Sequence, residues 1–188
     1  MRSTTLIKNV SALLFLLLVG CATTNVPTQP TPQARIGLKL TPASFGQTLT
    51  LQQHLTVEHP GRTDQLDTVL QIDPQQLDVV GLMLGQRVMT LHYDGSTLQI
   101  WRHPRLPAQV QGADVLENIE LTLWPADAIR QALPLGWRIE EKGLQRKLFF
   151  NGTLIMTIDY SNQQRWVGKV VLTNLRYHYL ITIQSAVS

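Results

Sequence analysis

The chain has a single cysteine, Cys21, in 188 residues. One thiol excludes an internal disulfide and a thiolate-cluster zinc site. No H-E-x-x-H stretch and no G-x-S-x-G elbow occurs, and no glycine-rich loop precedes a helical stretch, so the usual signatures of zinc peptidases, serine hydrolases and phosphate-cradling nucleotidases are missing. Long apolar runs are missing too. The run from Val10 to Val19 falls short of the roughly 20 residues that span a bilayer. Excess charge of one sign is small, with sixteen basic against thirteen acidic residues. Two of the sixteen, Arg2 and Lys8, precede that run. Without residues 1–20, fourteen basic residues face thirteen acidic ones, a net charge of +1. There is no basic stripe for nucleic acid.

The first segment has the parts of a secretory signal: a basic n-region, an apolar core and small residues before Cys21. Leu18-Val19-Gly20-Cys21 resembles the lipobox of bacterial lipoproteins, in which the thiol is joined to a diacylglycerol, the chain is cleaved just before the cysteine and the new amine is acylated. Residues 1–20 are therefore expected to be removed and Cys21 to carry the lipid anchor, palmitate-type acyl chains included. More than one chain is needed for firm anchoring. Ala22 follows, where Asp would resemble an inner-membrane retention signal, so the expected location is the outer membrane, facing the periplasm. Residues 21–34 hold Pro, Thr and Gln and read as a tether. Residues 35–188 are enough for one domain.

Alternation of apolar and polar residues dominates that domain. Leu49, Leu51, Leu55 and Val57 share one side of a strand whose other side is polar. Further strands are expected near Gln65–Ile72, Leu77–Leu84, Val88–Tyr93 and Thr97–Trp101, with Asp94-Gly95 as a hairpin turn. Ala113–Leu133 carries Val115, Leu116, Ile119 and Leu123 at helical spacing. Pro125 divides it into two short helices. Strands resume at Trp137–Glu141, Leu144–Phe150, Thr153–Tyr160, Arg165–Leu172 and Tyr177–Ile183, with Asn151-Gly152 as a second hairpin turn and Thr173-Asn174 joining the last pair. The expected fold is mainly β (α+β): a curved antiparallel sheet or half-barrel of about 9–11 strands, with a short helical insertion covering one face.

Few residues suggest chemistry. His54 and His59 read as solvated, and His92 and His178 as outward or capped strand residues. Ser44, Ser96 and Ser161 lie in loop-like contexts. Glu140 and Glu141 point to opposite faces of a strand. No catalytic residue, metal site or cofactor is expected, and the chain reads as a non-enzyme. The apolar face of the sheet is the alternative focus, since it must be buried somewhere and only one short helical segment is available as a cover. Leu49, Leu51, Leu55 and Val57 on one side and Leu154, Met156 and Ile158 on the other would line a cavity. Trp124, at the break between the helices, would cover it.

Three stretches in order carry a resemblance. They are Gly81-x-x-x-Gly85-Gln86-Arg87 with Leu91-x-Tyr93-Asp94-Gly95; Leu121-x-x-Trp124-Pro125-Ala126; and Gly136-Trp137-Arg138 leading to Asn151-Gly152 and Ile158-x-Tyr160. Over roughly residues 40–185 the chain resembles a family of bacterial lipoproteins known as a domain of unknown function. That family is similar to the LolA/LolB class, which shuttles and receives lipoproteins on an unclosed β-barrel with an apolar concave face. Its members are often encoded beside fatty-acid-type synthases and lipid exporters, including those for aryl polyenes. The resemblance implies an outer-membrane lipoprotein that binds or helps transfer an acyl or polyene lipid or a lipoprotein, beside envelope export machinery. A structural adaptor that docks another envelope protein and binds no lipid is the alternative.

Overall fold

The computed structural model describes residues 36–38, 40–107 and 110–187. The expected signal segment, Cys21 and the tether lie outside the described residues. Residues 34–188 form one compact unit. Ten strands build one sheet: β1 (Leu49–His59), β2 (Arg62–Ile72), β3 (Leu77–Met83), β4 (Gln86–Tyr93), β5 (Leu98–Arg102), β6 (Trp137–Lys142), β7 (Gln145–Phe150), β8 (Thr153–Tyr160), β9 (Gly168–Asn174) and β10 (Tyr179–Val187). Their order is β5-β4-β3-β2-β1-β10-β9-β8-β7-β6, and every neighbouring pair is antiparallel. Two meanders, β1 to β5 and β6 to β10, thus meet along β1 and β10. Between them in sequence lie α1 (Gly112–Leu123) and α2 (Ala126–Ala132).

The expected helix break falls where Pro125 was placed, between α1 and α2. The Asn151-Gly152 turn puts both residues at positive φ, 47° and 82°, as a two-residue hairpin of the primed type requires. Asp94 Oδ1 accepts the backbone N–H groups of Ser96 and Thr97 at 2.8 and 2.7 Å, which fixes the other tight turn. The last pair of strands departs from the expected boundaries. Arg165–Val167 belong to a loop that Ser161 closes by accepting the Lys169 N–H at 2.7 Å. Asn174 ends β9 instead of forming the turn centre. Its Oδ1 accepts the N–H groups of Arg176 and Tyr177 at 3.1 and 2.8 Å, so the turn is pushed to residues 175–178. A 3₁₀ turn, Pro42–Phe45, and buried Ile36, Leu38 and Leu40 add a part of the core that alternation does not mark.

Register decides the interior face. Leu51 pairs with Leu70 and Val187, and Leu55 with Leu66 and Ile183. Leu172 pairs with Ile181 and Ile158, and Met156 with Leu148. These residues share the face that the helices cover. The sheet curls toward α1. Ile100 of β5 lies so close to the start of α1 that a Cβ on Gly112 would stand 2.3 Å from its Cδ1. Six residues on, Asn118 Nδ2 donates to the Tyr179 hydroxyl at the start of β10, at 3.1 Å. Six helical residues advance about 9 Å, whereas five ladder steps from β5 to β10 measure about 24 Å along the sheet. A flat sheet would carry these strands too far apart for one short helix to touch both.

Candidate functional site

The two ends of α1 are held differently. At its C-terminus the last carbonyls have no partner within the helix. Arg146, 1% exposed in its side chain and set on the interior phase of β7, supplies one. Its Nη1 donates to the Leu121 and Thr122 carbonyls at 2.7 and 3.3 Å, and its Nη2 to the Trp124 carbonyl at 2.7 Å. Its Nε donates to Glu141, which also accepts Arg165 Nη2 at 2.7 Å. The guanidinium lies 5.7 Å from the Tyr160 ring centroid, and the Tyr160 hydroxyl donates to the Thr122 carbonyl at 2.8 Å. A cation here also faces the negative end of the helix. Burial pulls the Arg146 guanidinium below its usual value, while Tyr160 and Glu141 oppose that pull. Burial pushes the Tyr160 hydroxyl up to about 12. Burial alone would raise Glu141, but its two arginines hold it below the usual carboxylate range.

Glu120 is the opposite case. Its residue is fully buried and neither carboxylate oxygen has a hydrogen bond of normal geometry. Desolvation raises it to about 8; the nearby Leu40 backbone amide lowers it and Glu117 raises it further. The folded state therefore holds a proton that the unfolded state releases above about 4.5. Stability tied to this group is full below that value and is lost as pH rises toward 8. Glu120→Met should stabilise the domain by about 3 kcal/mol at pH 7.5, and by clearly less at pH 4.5, in urea unfolding. An equal gain at both pH values would show that Glu120 ionises as readily in the folded domain as in the unfolded chain.

The eight residues proposed to line a cavity separate into three groups. Leu49, Leu51, Trp124, Met156 and Ile158 are all members of one buried cluster. Trp124 is completely buried. Its Nε1 donates to the Ser44 Oγ and the Thr41 carbonyl at 3.0 and 3.3 Å, and its ring packs 5.1 Å from Phe45. Leu55 and Val57 lie on the same face, half-buried. Leu154 is half-buried outside the cluster. A bulge pairs Phe149 with Leu154 directly after Leu148 with Met156, and so takes Leu154 out of phase.

What remains accessible on the interior face is a strip over β2, β1 and β10. One rung runs Leu66, Leu55, Ile183, Val170, Tyr160 across five strands. Burial declines along it: Tyr160 and Val170 are buried, whereas Ile183, Leu55 and Leu66 are half-buried. Val57 and Ile181, the next pair, are half-buried too. The rung on the other side is polar and self-satisfied: Gln53 Nε2 donates to Ser185 Oγ at 3.0 Å, and Thr68 Oγ1 to Gln53 Oε1 at 3.3 Å. Leu66 and Ile181, which complete this strip, were read from the sequence only as strand residues. The strip offers apolar contact and no nucleophile. His54 and His92 sit in exposed or part-buried ladder pairs with Asp67 and Asp78, each at 2.8 Å. No group of three metal-ligating side chains occurs among the described residues.

A family model matches residues 50–187, and with them nearly the whole sheet and both helices. The chain belongs to DUF3261, described as a protein of unknown function. Two solved structures are similar to this DUF3261 chain. One is a LolA superfamily protein from Nitrosomonas europaea, 10% identical, covering 81% of this chain and 92% of its own, with a TM-score of 0.46. The other is a domain described as outer membrane lipoprotein-sorting, from Vibrio parahaemolyticus, 8% identical, covering 73% and 83%, with a TM-score of 0.40. No curated protein matches the chain.

Proposed function

We propose that this DUF3261 domain binds a single acyl chain along the strip of Leu66, Leu55, Val57, Ile181 and Ile183, and does so as a periplasm-facing lipoprotein held in the outer membrane through Cys21. The acyl chain belongs to a lipid, a polyene lipid or a lipoprotein handed on at the envelope, beside its export machinery. The observation that carries this reading is the decline in burial along one rung of an otherwise closed apolar face. Apolar surface left half-open gains most from an apolar ligand.

A fluorescent fatty acid tests it. The domain should bind at micromolar concentrations, and Leu55→Glu or Ile183→Glu should weaken binding at least about tenfold, because a carboxylate in the strip must be desolvated by the ligand. Both residues are half-buried and lie outside the fully buried cluster, and circular dichroism checks that each variant keeps the fold. Leu51→Glu and Met156→Glu, by contrast, bury the charge in the packed core and should unfold the domain. No binding by the unaltered domain, or equal binding by the variants, overturns the reading. The adaptor reading has its own support in the solid packing of Leu51, Trp124, Met156 and Ile158 beneath the helices; failure of the fatty-acid test would favour it.

A further inference from the structure

The two ends of the sheet carry different turns. At one end lie the turns 73–76, 94–97 and 142–145 and the loop 161–167; at the other lie 60–61, 84–85, 151–152 and 175–178, with the loop 133–136 that enters β6. The first set is built of ordinary turn residues, Asp73-Pro74, Asp94-Gly95-Ser96 and Ser161-Asn162, with Leu144 exposed by 39%. The second set places leucines in solvent: Leu84 is 98% exposed, Leu135 is 101% exposed, and Leu175 and Tyr177 are exposed beside each other. The tips of this end step in one direction. The 84–85 turn stops short of the 60–61 turn, because β3 ends opposite Leu66. The 151–152 turn reaches past Asn174. Tilted strands of a curled sheet produce such a stagger, and it brings the tips onto one rim.

Each leucine on this rim stands beside an arginine laid on an aromatic ring. Arg87, three residues after Leu84, lies 5.1 Å from the centroid of exposed Trp101. Arg176, next to Leu175, lies 5.1 Å from Tyr177, and Arg138, three after Leu135, lies 4.4 Å from Phe149. Arg138 also pairs with Glu140, but Arg87 and Arg176 have no acidic partner among the described residues. Leu84 is placed at a cost: its φ of 50° lies in the left-handed region that Asn and Gly adopt far more readily.

We propose that this rim docks on an anionic phospholipid bilayer. Leucines standing singly on three separate tips do not make the continuous packed patch of a protein interface, but each reaches the acyl boundary alone. The rings suit the headgroup level. The arginines beside them meet lipid phosphates, which supply the charge that Arg87 and Arg176 lack. This proposal stands independently of acyl binding in the interior strip.

Vesicle co-sedimentation tests it, with residues 34–188, the compact unit that holds every strand and both helices. The domain should sediment with vesicles containing phosphatidylglycerol and stay behind with pure phosphatidylcholine, and added salt should release it. Leu84→Asn, Leu135→Asn and Leu175→Asn together should weaken binding at least about tenfold. Arg87→Glu with Arg176→Glu should weaken it by more than about twenty-fold, each lost cation accounting for about fivefold. Leu144→Asn, at the other end, should leave it unchanged. The leucines and Arg87 are exposed and Arg176 is half-buried, and circular dichroism checks the fold of each variant. Binding that survives the three leucine changes, equal sedimentation with both vesicle types, or no sedimentation at all overturns the proposal. So does retention of a protein partner by the leucines without vesicle binding.

Discussion

Arg146→Ala should cost the domain about 3–5 kcal/mol in urea unfolding, enough to unfold much of a domain whose total stability is of the order of 5–15 kcal/mol. The loss has three sources. The carbonyls of Leu121 and Trp124 lose their Arg146 donors inside the core, and that of Thr122 is left with the Tyr160 hydroxyl alone. Glu141 keeps only Arg165, at the edge of solvent. A cavity opens beside Tyr160. Arg146→Lys should recover less than half, since one ammonium cannot serve the forked set of acceptors. Arg165→Ala should cost under about 1 kcal/mol, because that side of Glu141 is partly solvated. A loss below about 1 kcal/mol for Arg146→Ala would show that water replaces the guanidinium and that α1 does not depend on it.

Trp124→Ala should cost a similar amount, about 3–5 kcal/mol, for a different reason. The indole fills the space among α1, α2 and the 3₁₀ turn, touching Phe45, which in turn meets Trp166 at 6.0 Å. Removing it empties a large volume and takes one donor each from the Thr41 carbonyl and the Ser44 hydroxyl, which stay bonded to each other. Trp124→Phe should keep most of the volume and cost about 1–2 kcal/mol, the share of the hydrogen bonds. Limited proteolysis supplies a second readout: the segment from Ile36 to Phe45 should become cleavable in Trp124→Ala before the sheet does. Simultaneous cleavage of both would mean that the segment and the sheet open as one unit.

Much of this fold is legible in the chain because the sheet is antiparallel and half-solvated. Each strand then alternates, and turns such as Asp94-Gly95 and Asn151-Gly152 announce themselves by the backbone angles they need. Pro125 marks its helix break in the same way. The bulge at Ile155 is illegible, since nothing in Leu154-Ile155-Met156 distinguishes an extra residue from an ordinary one, and Leu154 is misplaced as a result. Arg146 and Glu120 carry charges that hide their burial, although their phases are informative. Arg146 stands two residues before Leu148, and Glu120 stands four after Leu116, both on interior-facing positions. The accessible strip depends on where α1 runs, and only three-dimensional packing decides that.

The joining of two meanders at β1 and β10 has a kinetic consequence. Eight of the nine ladders connect strands that follow one another in the chain, through loops that close locally. The ninth pairs Leu51 with Val187. Bringing together positions separated by well over a hundred residues carries a loop-closure entropy of about 4 kcal/mol, whereas a tight hairpin needs only a fraction of it. Contact order is therefore concentrated in one seam. Each half can zip up on its own, and the rate of reaching the native state is governed by how quickly the halves find each other. Until they do, the flanks of β1 and β10 present unpaired backbone donors and acceptors, the most association-prone surface the molecule will ever expose.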